Sequence, residues 1–349
     1  MPDLVGQVLQ GRYRIEQLIG RGGMAEVYKA YDTRRQYPVA VKVMREDLAE
    51  DVEFIHRFRR EAQALAALSH ANIVRFYSFG RQGRLAFIVM DFVEGSTLRG
   101  IILDAQGAPL PLNQVAALTH QIAAALHYAH GENVLHRDIK PGNIMVQPSG
   151  QVLVADFGIA KAADAATATT VMPGTPAYMS PEQCLSQLLD PRTDVYALGI
   201  VAYEMLAGRR PFRGDSSESG SGSTRERIRW EQIYLTPPPL RSFNPTLSPQ
   251  VEAVVLKALE KDRRDRWPSV LAFARAFEHA MRQAGVPIAP RVPLARPPQP
   301  SGPLQPPLSG QPAPTSAAVA ARPAPAARTG PFGIPVAWLA AAAGLVAVV

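Results

Sequence analysis

His136-Arg137-Asp138-Ile139-Lys140-Pro141-Gly142-Asn143 decides how the rest of the chain is read. It follows an apolar, helix-like run over 115–130 and precedes a short strand-like run, Ile144-Met145-Val146. Asp156-Phe157-Gly158 comes soon after, behind a second apolar run, Val152-Leu153-Val154-Ala155. The two runs, joined by Gln147-Pro148-Ser149-Gly150, predict a hairpin. That hairpin brings Asn143 and Asp156 close together, and both carry oxygen atoms. Hard cations such as Mg²⁺ take oxygen ligands together with phosphates. The stretch therefore offers an acid or base (Asp138), a cation (Lys140) and a metal pair (Asn143, Asp156), the parts that phosphoryl transfer needs.

His-Arg-Asp alone recurs by chance, but the eight-residue loop with Asp-Phe-Gly at this distance is specific. Here the sequence resembles the protein-kinase superfamily. The Pro141-Gly142 pair before Asn143 looks like the bacterial eukaryotic-like (Hanks-type) serine/threonine kinases. The resemblance runs from about residue 11 to about 280 and implies an α+β, two-lobed protein-kinase fold. Its small, β-rich N-lobe (11–93) carries one helix, and its larger, helical C-lobe spans 94–283.

Upstream, Tyr13 to Ile19 alternates apolar and polar side chains as a strand does. Gly20-Arg21-Gly22-Gly23-Met24-Ala25 follows, and glycines in a hairpin let the backbone approach a phosphate closely. Such glycines are also ordinary turn formers. Ala25 stands where the family's loop has a third glycine. Val39-Ala40-Val41-Lys42 predicts a strand whose lysine sits beside that loop. Residues 51–68 predict a helix, with Phe54, Phe58, Ala62, Leu65 and Leu68 on one stripe and Glu61 beside it. The resemblance pairs Glu61 with Lys42, whereas the residues alone also allow an exposed pair with Arg57. Further strands are expected at Ile73–Phe79 and Leu85–Met90, and helices at 97–103 and 112–131.

The resemblance implies nucleotide contacts from Ile19, Gly20, Arg21, Gly22, Gly23, Met24, Ala25, Val27, Ala40, Lys42, Met90, Asp91, Val93 and Met145. Met90 is the gatekeeper, and Asp91 and Val93 lend backbone groups to adenine. Asp138, Lys140, Asn143, Lys42, Glu61 and Thr175 form the catalytic set, and Asn143 with Asp156 holds the metal. ATP and Mg²⁺ (or Mn²⁺) are the implied cofactors, and protein Ser/Thr hydroxyls the acceptors. Lys140 and Thr175 favour Ser/Thr over tyrosine. His136 is read as a packing residue under Phe157, and His120, His127 and His130 as structural. Ser180-Pro181-Glu182 stands where the family has Ala-Pro-Glu, and Arg266 resembles the arginine that pairs with that glutamate. Asp194, at the start of an apolar helix over 193–208, resembles the aspartate that braces the catalytic loop. Thr167, Thr169 and Thr170 lie between Asp156 and Ser180 as candidate phosphorylation sites, with Arg137 as their cation. Competing functions are a catalytically inactive scaffold of the same fold and a small-molecule kinase.

Of the net charge of +7, the segment 284–332 supplies +4 through Arg291, Arg296, Arg322 and Arg328 and holds no acid. The rest is near neutral, which argues against a nucleic-acid surface. A single cysteine, Cys184, excludes an internal disulfide and reads as a small packed residue. Residues 214–224 are Gly/Ser-rich and read as a flexible surface loop, with closing helices near 248–260 and 268–283. The segment 284–332 has 14 prolines in 49 residues and reads as an extended linker. Residues 333–349 carry no charge and end while still apolar, as the start of a transmembrane helix does. Met1 to Gln10 lacks the pattern of a signal peptide. The expected location is therefore a single-pass anchor in the cell membrane, with the kinase domain cytoplasmic. The family resemblance also admits a homodimer.

Overall fold

A computed structural model describes residues 4–23, 25–45, 66–157 and 176–287. Its first half is a six-stranded antiparallel sheet in the order β1-β2-β3-β4-β6-β5. The strands are β1 (Val8–Leu9), β2 (Tyr13–Arg21), β3 (Ala25–Asp32), β4 (Tyr37–Met44), β5 (Phe76–Gln82) and β6 (Leu85–Asp91). Alternation in β2 buries Tyr13 and Ile15, as the sequence predicts. Register shifts between Ile15 and Gln17 and between Leu18 and Gly20 then break the phase, so Ile19 leaves the buried face. Strand β5 begins at Phe76 rather than at the predicted Ile73. Ile73 instead forms an isolated parallel bridge with Val154 of the second half. The predicted helix over 51–68 lies outside the described residues except at its end. There Leu68 is buried and joins the same core as Ile73 and Phe157.

The second half is helical. A two-residue strand, β7 (Ser96–Thr97), precedes α1 (Leu98–Asp104) and α2 (Leu112–Gly131). Strands β8 (Ile144–Val146) and β9 (Val152–Val154) form the expected hairpin, and β7 adds to its edge. Helices α3 (Pro181–Cys184), α4 (Pro191–Ala207), α5 (Thr224–Tyr234), α6 (Pro249–Ala258) and α7 (Val270–Gln283) complete it. Helix α4 is buried along most of its length and, with the buried face of α2, makes the centre of the core. Gly208 ends α4 at φ 68°, where an added Cβ would strike the carbonyl of Gly107.

Two sequence expectations need correction here. Residues 214–224 are not simply a flexible loop. The Glu231 carboxylate accepts from the backbone N–H of Arg213, Gly214 and Ser216 at 2.9, 2.7 and 3.0 Å. Ser219 is buried there. Helix α5 follows, a helix the sequence reading did not place, opened by a Ser223–Glu226 capping box. Helix α4 starts at Pro191 with Asp190 as its N-cap, so Asp194 falls within the first turn rather than at the boundary.

The Ser180-Pro181-Glu182 stretch is pinned by a buried ion pair. Arg266 Nη1 and Nη2 each donate to Glu182 at 2.8 Å, and both side chains are almost inaccessible. Burial alone would raise the Glu182 pKa, but the Arg266 guanidinium holds it below the usual carboxylate range. Removing one partner strands the other charge, which costs about 3–5 kcal/mol. Arg266→Leu is therefore expected to lose stability of that order in urea unfolding. Adding Glu182→Met should restore part of it by removing the stranded charge.

Candidate active site

The stretch that links the two halves holds the first part of the site. Asp91 ends β6, and its backbone N–H donates to Arg75 O at 2.9 Å. The Tyr77 hydroxyl donates to the Asp91 carboxylate from the neighbouring strand. Gly95 closes the linker at φ 146° with its Cα against Val146 O, a place where any Cβ would clash. Ala40 and Met90 are register partners, so the two sit side by side across β4 and β6. Behind Met90 an apolar cavity is lined by Leu68, Ile73, Phe76, Ile88 and Phe157 and reaches Asp156. Gly20 and Arg21 end β2, paired with Val27 and Glu26, and Gly22 and Gly23 enter the turn to β3, where Gly22 N–H donates to Ala25 O at 2.9 Å. Met24 and Glu61 lie outside the described residues, as do Thr167, Thr169, Thr170 and Thr175.

Lys42 reaches across from β4, and its Nζ donates to Asp156 Oδ1 at 2.7 Å. Burial pushes the Asp156 pKa up, yet the ammonium groups of Lys42 and then Lys140 outweigh it, so the carboxyl stays ionised. Lys140 Nζ donates to Asp138 Oδ2 at 2.8 Å. Asn143 Nδ2 donates to Asp138 O at 2.8 Å and to Oδ2 at 3.2 Å. Asn143 Oδ1 is thus the amide atom left for a cation. With the Asp156 carboxylate it makes a hard-oxygen set that fits Mg²⁺. The hairpin does the joining, since Ala155 N–H donates to Asn143 O at 2.8 Å.

The loop carrying Asp138 is held from below. The buried Asp194 carboxylate accepts the backbone N–H of His136 and of Arg137, both at 2.9 Å. Its third contact is His130 Nε2 at 2.7 Å. Desolvation works against the Asp194 charge, and these contacts with His130 and His136 hold its pKa low all the same. His130 was expected to be structural only, and no local pattern ties it to a residue 64 positions away. His136 packs on Phe157 with ring centroids 4.5 Å apart, as expected. Its Nδ1 accepts the Asp138 N–H at 3.2 Å, and its Nε2 bonds Ala155 O at 3.0 Å. Among the described residues, no group of three or more His, Cys, Asp and Glu gathers as a metal site.

These features define a protein-kinase domain: a β-rich half with a glycine turn and a strand lysine, a linker, and a helical half carrying the Asp138 loop and Asp156. The protein kinase domain family matches residues 13–280, and the chain belongs to that family. Among its relatives is a probable serine/threonine-protein kinase PknB of Bifidobacterium longum, 42% identical over 292 residues. That match covers 80% of this chain and 41% of the relative, so the chain spans about two fifths of its length. The serine/threonine-protein kinase PknA of Mycobacterium tuberculosis is 39% identical over 323 residues, covering 90% of this chain and 69% of that one. A crystal structure of the M. tuberculosis PknI kinase domain aligns with TM-score 0.65 at 32% identity. The alignment covers 81% of this chain and all of that one.

The histidines give the fold a measurable pH dependence. Burial holds the His136 pKa below the ordinary imidazole value, and it shifts His70 the same way. The unfolded chain takes up a proton near pH 6.5 that the folded sites refuse, so this stability is present above about pH 6.5 and falls as pH drops. The urea midpoint is expected to be lower at pH 5 than at pH 7, with a smaller drop in His136→Gln. An equal drop in the variant would mean that His136 charges freely in the fold.

Proposed function

We propose that the chain is an ATP-dependent serine/threonine protein kinase domain. The observation that carries this reading is the single cluster formed by Asp138, Lys140 and Asn143, facing an Asp156 that is engaged by Lys42. An acceptor hydroxyl is oriented by the Asp138 carboxylate, which takes its proton as the new O–P bond forms to the γ-phosphorus. The bond from that phosphorus to the β-bridging oxygen breaks, and ADP leaves with the electron pair. Lys140, already beside Asp138, offsets charge on the migrating phosphoryl group. Lys42 turns from Asp156 toward the α/β-phosphates, with Glu61 as the partner proposed to hold it. Asn143 and Asp156 hold the Mg²⁺, which when bound neutralises phosphate charge. Most of the rate gain comes from position and preset charge rather than from covalent chemistry.

Asp138→Asn keeps the hydrogen bonding of the loop but removes the base. General-base assistance is worth about 10²–10⁴-fold, so turnover should fall by that much while nucleotide affinity stays near normal. Transfer of labelled phosphate from Mg-ATP to a generic protein substrate measures it, and near-normal turnover in the variant sinks the assignment. The same incubation tests autophosphorylation of Thr167, Thr169 and Thr170. Phosphate on these threonines would supply charge for Arg137 and order the segment. Mass spectrometry should find it in the wild type and not in Asp138→Asn.

The proposed organisation is a kinase domain over 11–283, a Pro/Ala-rich linker over 284–332 and a membrane helix beginning at 333. No described helix is long and apolar enough to cross a membrane, and 333–349 lies outside the described residues. What supports the anchor is the uncharged run itself, together with four arginines and no acid before it. Cells expressing 1–349 should hold the chain in the membrane fraction, and cells expressing 1–332 should not. The anchor is the basis for a further proposed role, in transmembrane signalling, and equal solubility of the two would remove both.

A further inference from the structure

The peptide unit joining Arg137 to Asp138 is gripped at both ends. Its N–H, on Asp138, goes to His136 Nδ1. Its C=O, on Arg137, accepts from Gln183 Nε2 at 2.7 Å, one of the shorter bonds around the loop. Arg137 itself sits at φ 63°, in the left-handed region that a non-glycine residue leaves unless it is held. Gln183 belongs to α3, the residue after Ser180-Pro181-Glu182, and is buried. The orientation of its amide is fixed independently of the loop. Gln183 Oε1 accepts the Ser180 N–H at 3.0 Å in the capping box of α3, so the NH₂ group must face Arg137. Just before Ser180, Gln232 Nε2 holds the carbonyls of Pro176 and Ala177 at 3.2 and 2.9 Å. Two buried glutamines thus hold the stretch 176–180, and one of them, Gln183, also holds the peptide on which Asp138 is mounted.

We propose that Gln183 is a positioning residue for Asp138. It orients the Arg137–Asp138 peptide through the Arg137 carbonyl and so links the seating of α3 to the placement of the base. The proposal rests on the reading of Asp138 as the base that meets the acceptor hydroxyl. Glu182 and Asp194 hold neighbouring parts of this region, but neither touches the Arg137 carbonyl in its hydrogen bonds. Gln183 donates to the Arg137 carbonyl, whereas Asp194 takes the Arg137 N–H. Loss of the Gln183 donor lets that peptide rotate about a residue whose backbone is already strained, and the Asp138 carboxylate moves with it.

The test separates this role from a purely structural one. Gln183→Met keeps the length of the side chain and removes both the cap acceptor and the donor to Arg137. Ser180→Ala weakens the same cap and leaves that donor in place. Gln183→Glu keeps the cap acceptor and replaces the donor by an oxygen that repels the Arg137 carbonyl, and it serves if Gln183→Met does not fold. Misplacing a reacting group by about 1 Å costs up to ~10²-fold, so kcat should fall about tenfold or more in either Gln183 variant. The KM for ATP should stay within about twofold, because the side chain of Gln183 bonds Ser180 and Arg137 and none of the residues assigned to nucleotide contact. Ser180→Ala should lower the thermal midpoint with kcat near that of the wild type. The proposal is overturned if a folded Gln183 variant keeps wild-type kcat. It is equally overturned if Ser180→Ala loses as much kcat as Gln183→Met, since the cap alone would then explain the effect. Asp138→Asn, measured alongside, keeps the two readings apart: if it is inactive while the Gln183 variants are not, only the role of Gln183 fails.

Discussion

A buried carboxylate at the start of one helix carries much of this site. Asp194 is wholly inaccessible, and an isolated charge there would be untenable. It survives because three donors meet it: two backbone N–H groups of the catalytic loop and the ring of His130. The first turn of α4 adds the favourable end of the helix dipole. The interaction is mutual. The loop 136–138 has no regular secondary structure to satisfy its amides, and Asp194 satisfies two of them, while the loop in turn keeps Asp194 ionised.

The two residues before Asp194 make the other connection. Thr193 Oγ1 donates to Glu182 Oε1 at 2.9 Å, and the Arg192 carbonyl accepts from Arg266 at 3.2 Å. One turn of helix thus touches both the catalytic loop and the Glu182–Arg266 pair. For the pair itself, the Coulomb gain of burial is largely cancelled by desolvation, so its net worth in stability is small. What it supplies is geometry. A bidentate guanidinium–carboxylate contact admits few arrangements, and it fixes α3 against the turn that carries Asp194. Gln183, the next residue, extends from that fixed point to Arg137.

Much of this was legible in the residues because it is local. The hairpin that brings Asn143 and Asp156 together needs only two short apolar runs and a turn, and helices α2, α4, α6 and α7 have long apolar patterns. Phase changes were not legible: the shifts within β2 expose Ile19 for reasons of pairing that no alternation records. Helix α5 was hidden by its composition, since Thr224 to Arg229 is mostly charged and only Ile228, Glu231 and Gln232 are buried. Its one readable signal was the Ser223–Glu226 spacing of a capping box, which the preceding glycines and serines masked. Partners far apart in the chain were the hardest. The contacts of His130 with Asp194, Gln183 with Arg137 and Glu231 with the 213–216 turn exist only once the fold is made.

The two acids assigned to the chemistry share one further support. Arg137, just before Asp138, and Asp156 itself both have positive φ, so strain sits beside each reacting group. His136 touches the backbone next to both. Its Nδ1 accepts from the Asp138 N–H, while its Nε2 donates to Ala155 O, the carbonyl of the peptide that leads into Asp156. Only a neutral imidazole offers an acceptor and a donor at fixed positions on one rigid ring. Protonation would place a hydrogen on Nδ1 facing the Asp138 N–H, and burial keeps that proton away. An amide side chain has the same two functions but on a rotatable stem, and a phenyl ring has neither. The identity of the residue thus follows from the need to hold two strained peptides at a set separation, which explains why a histidine two residues from the proposed base serves as a brace and not as the base itself.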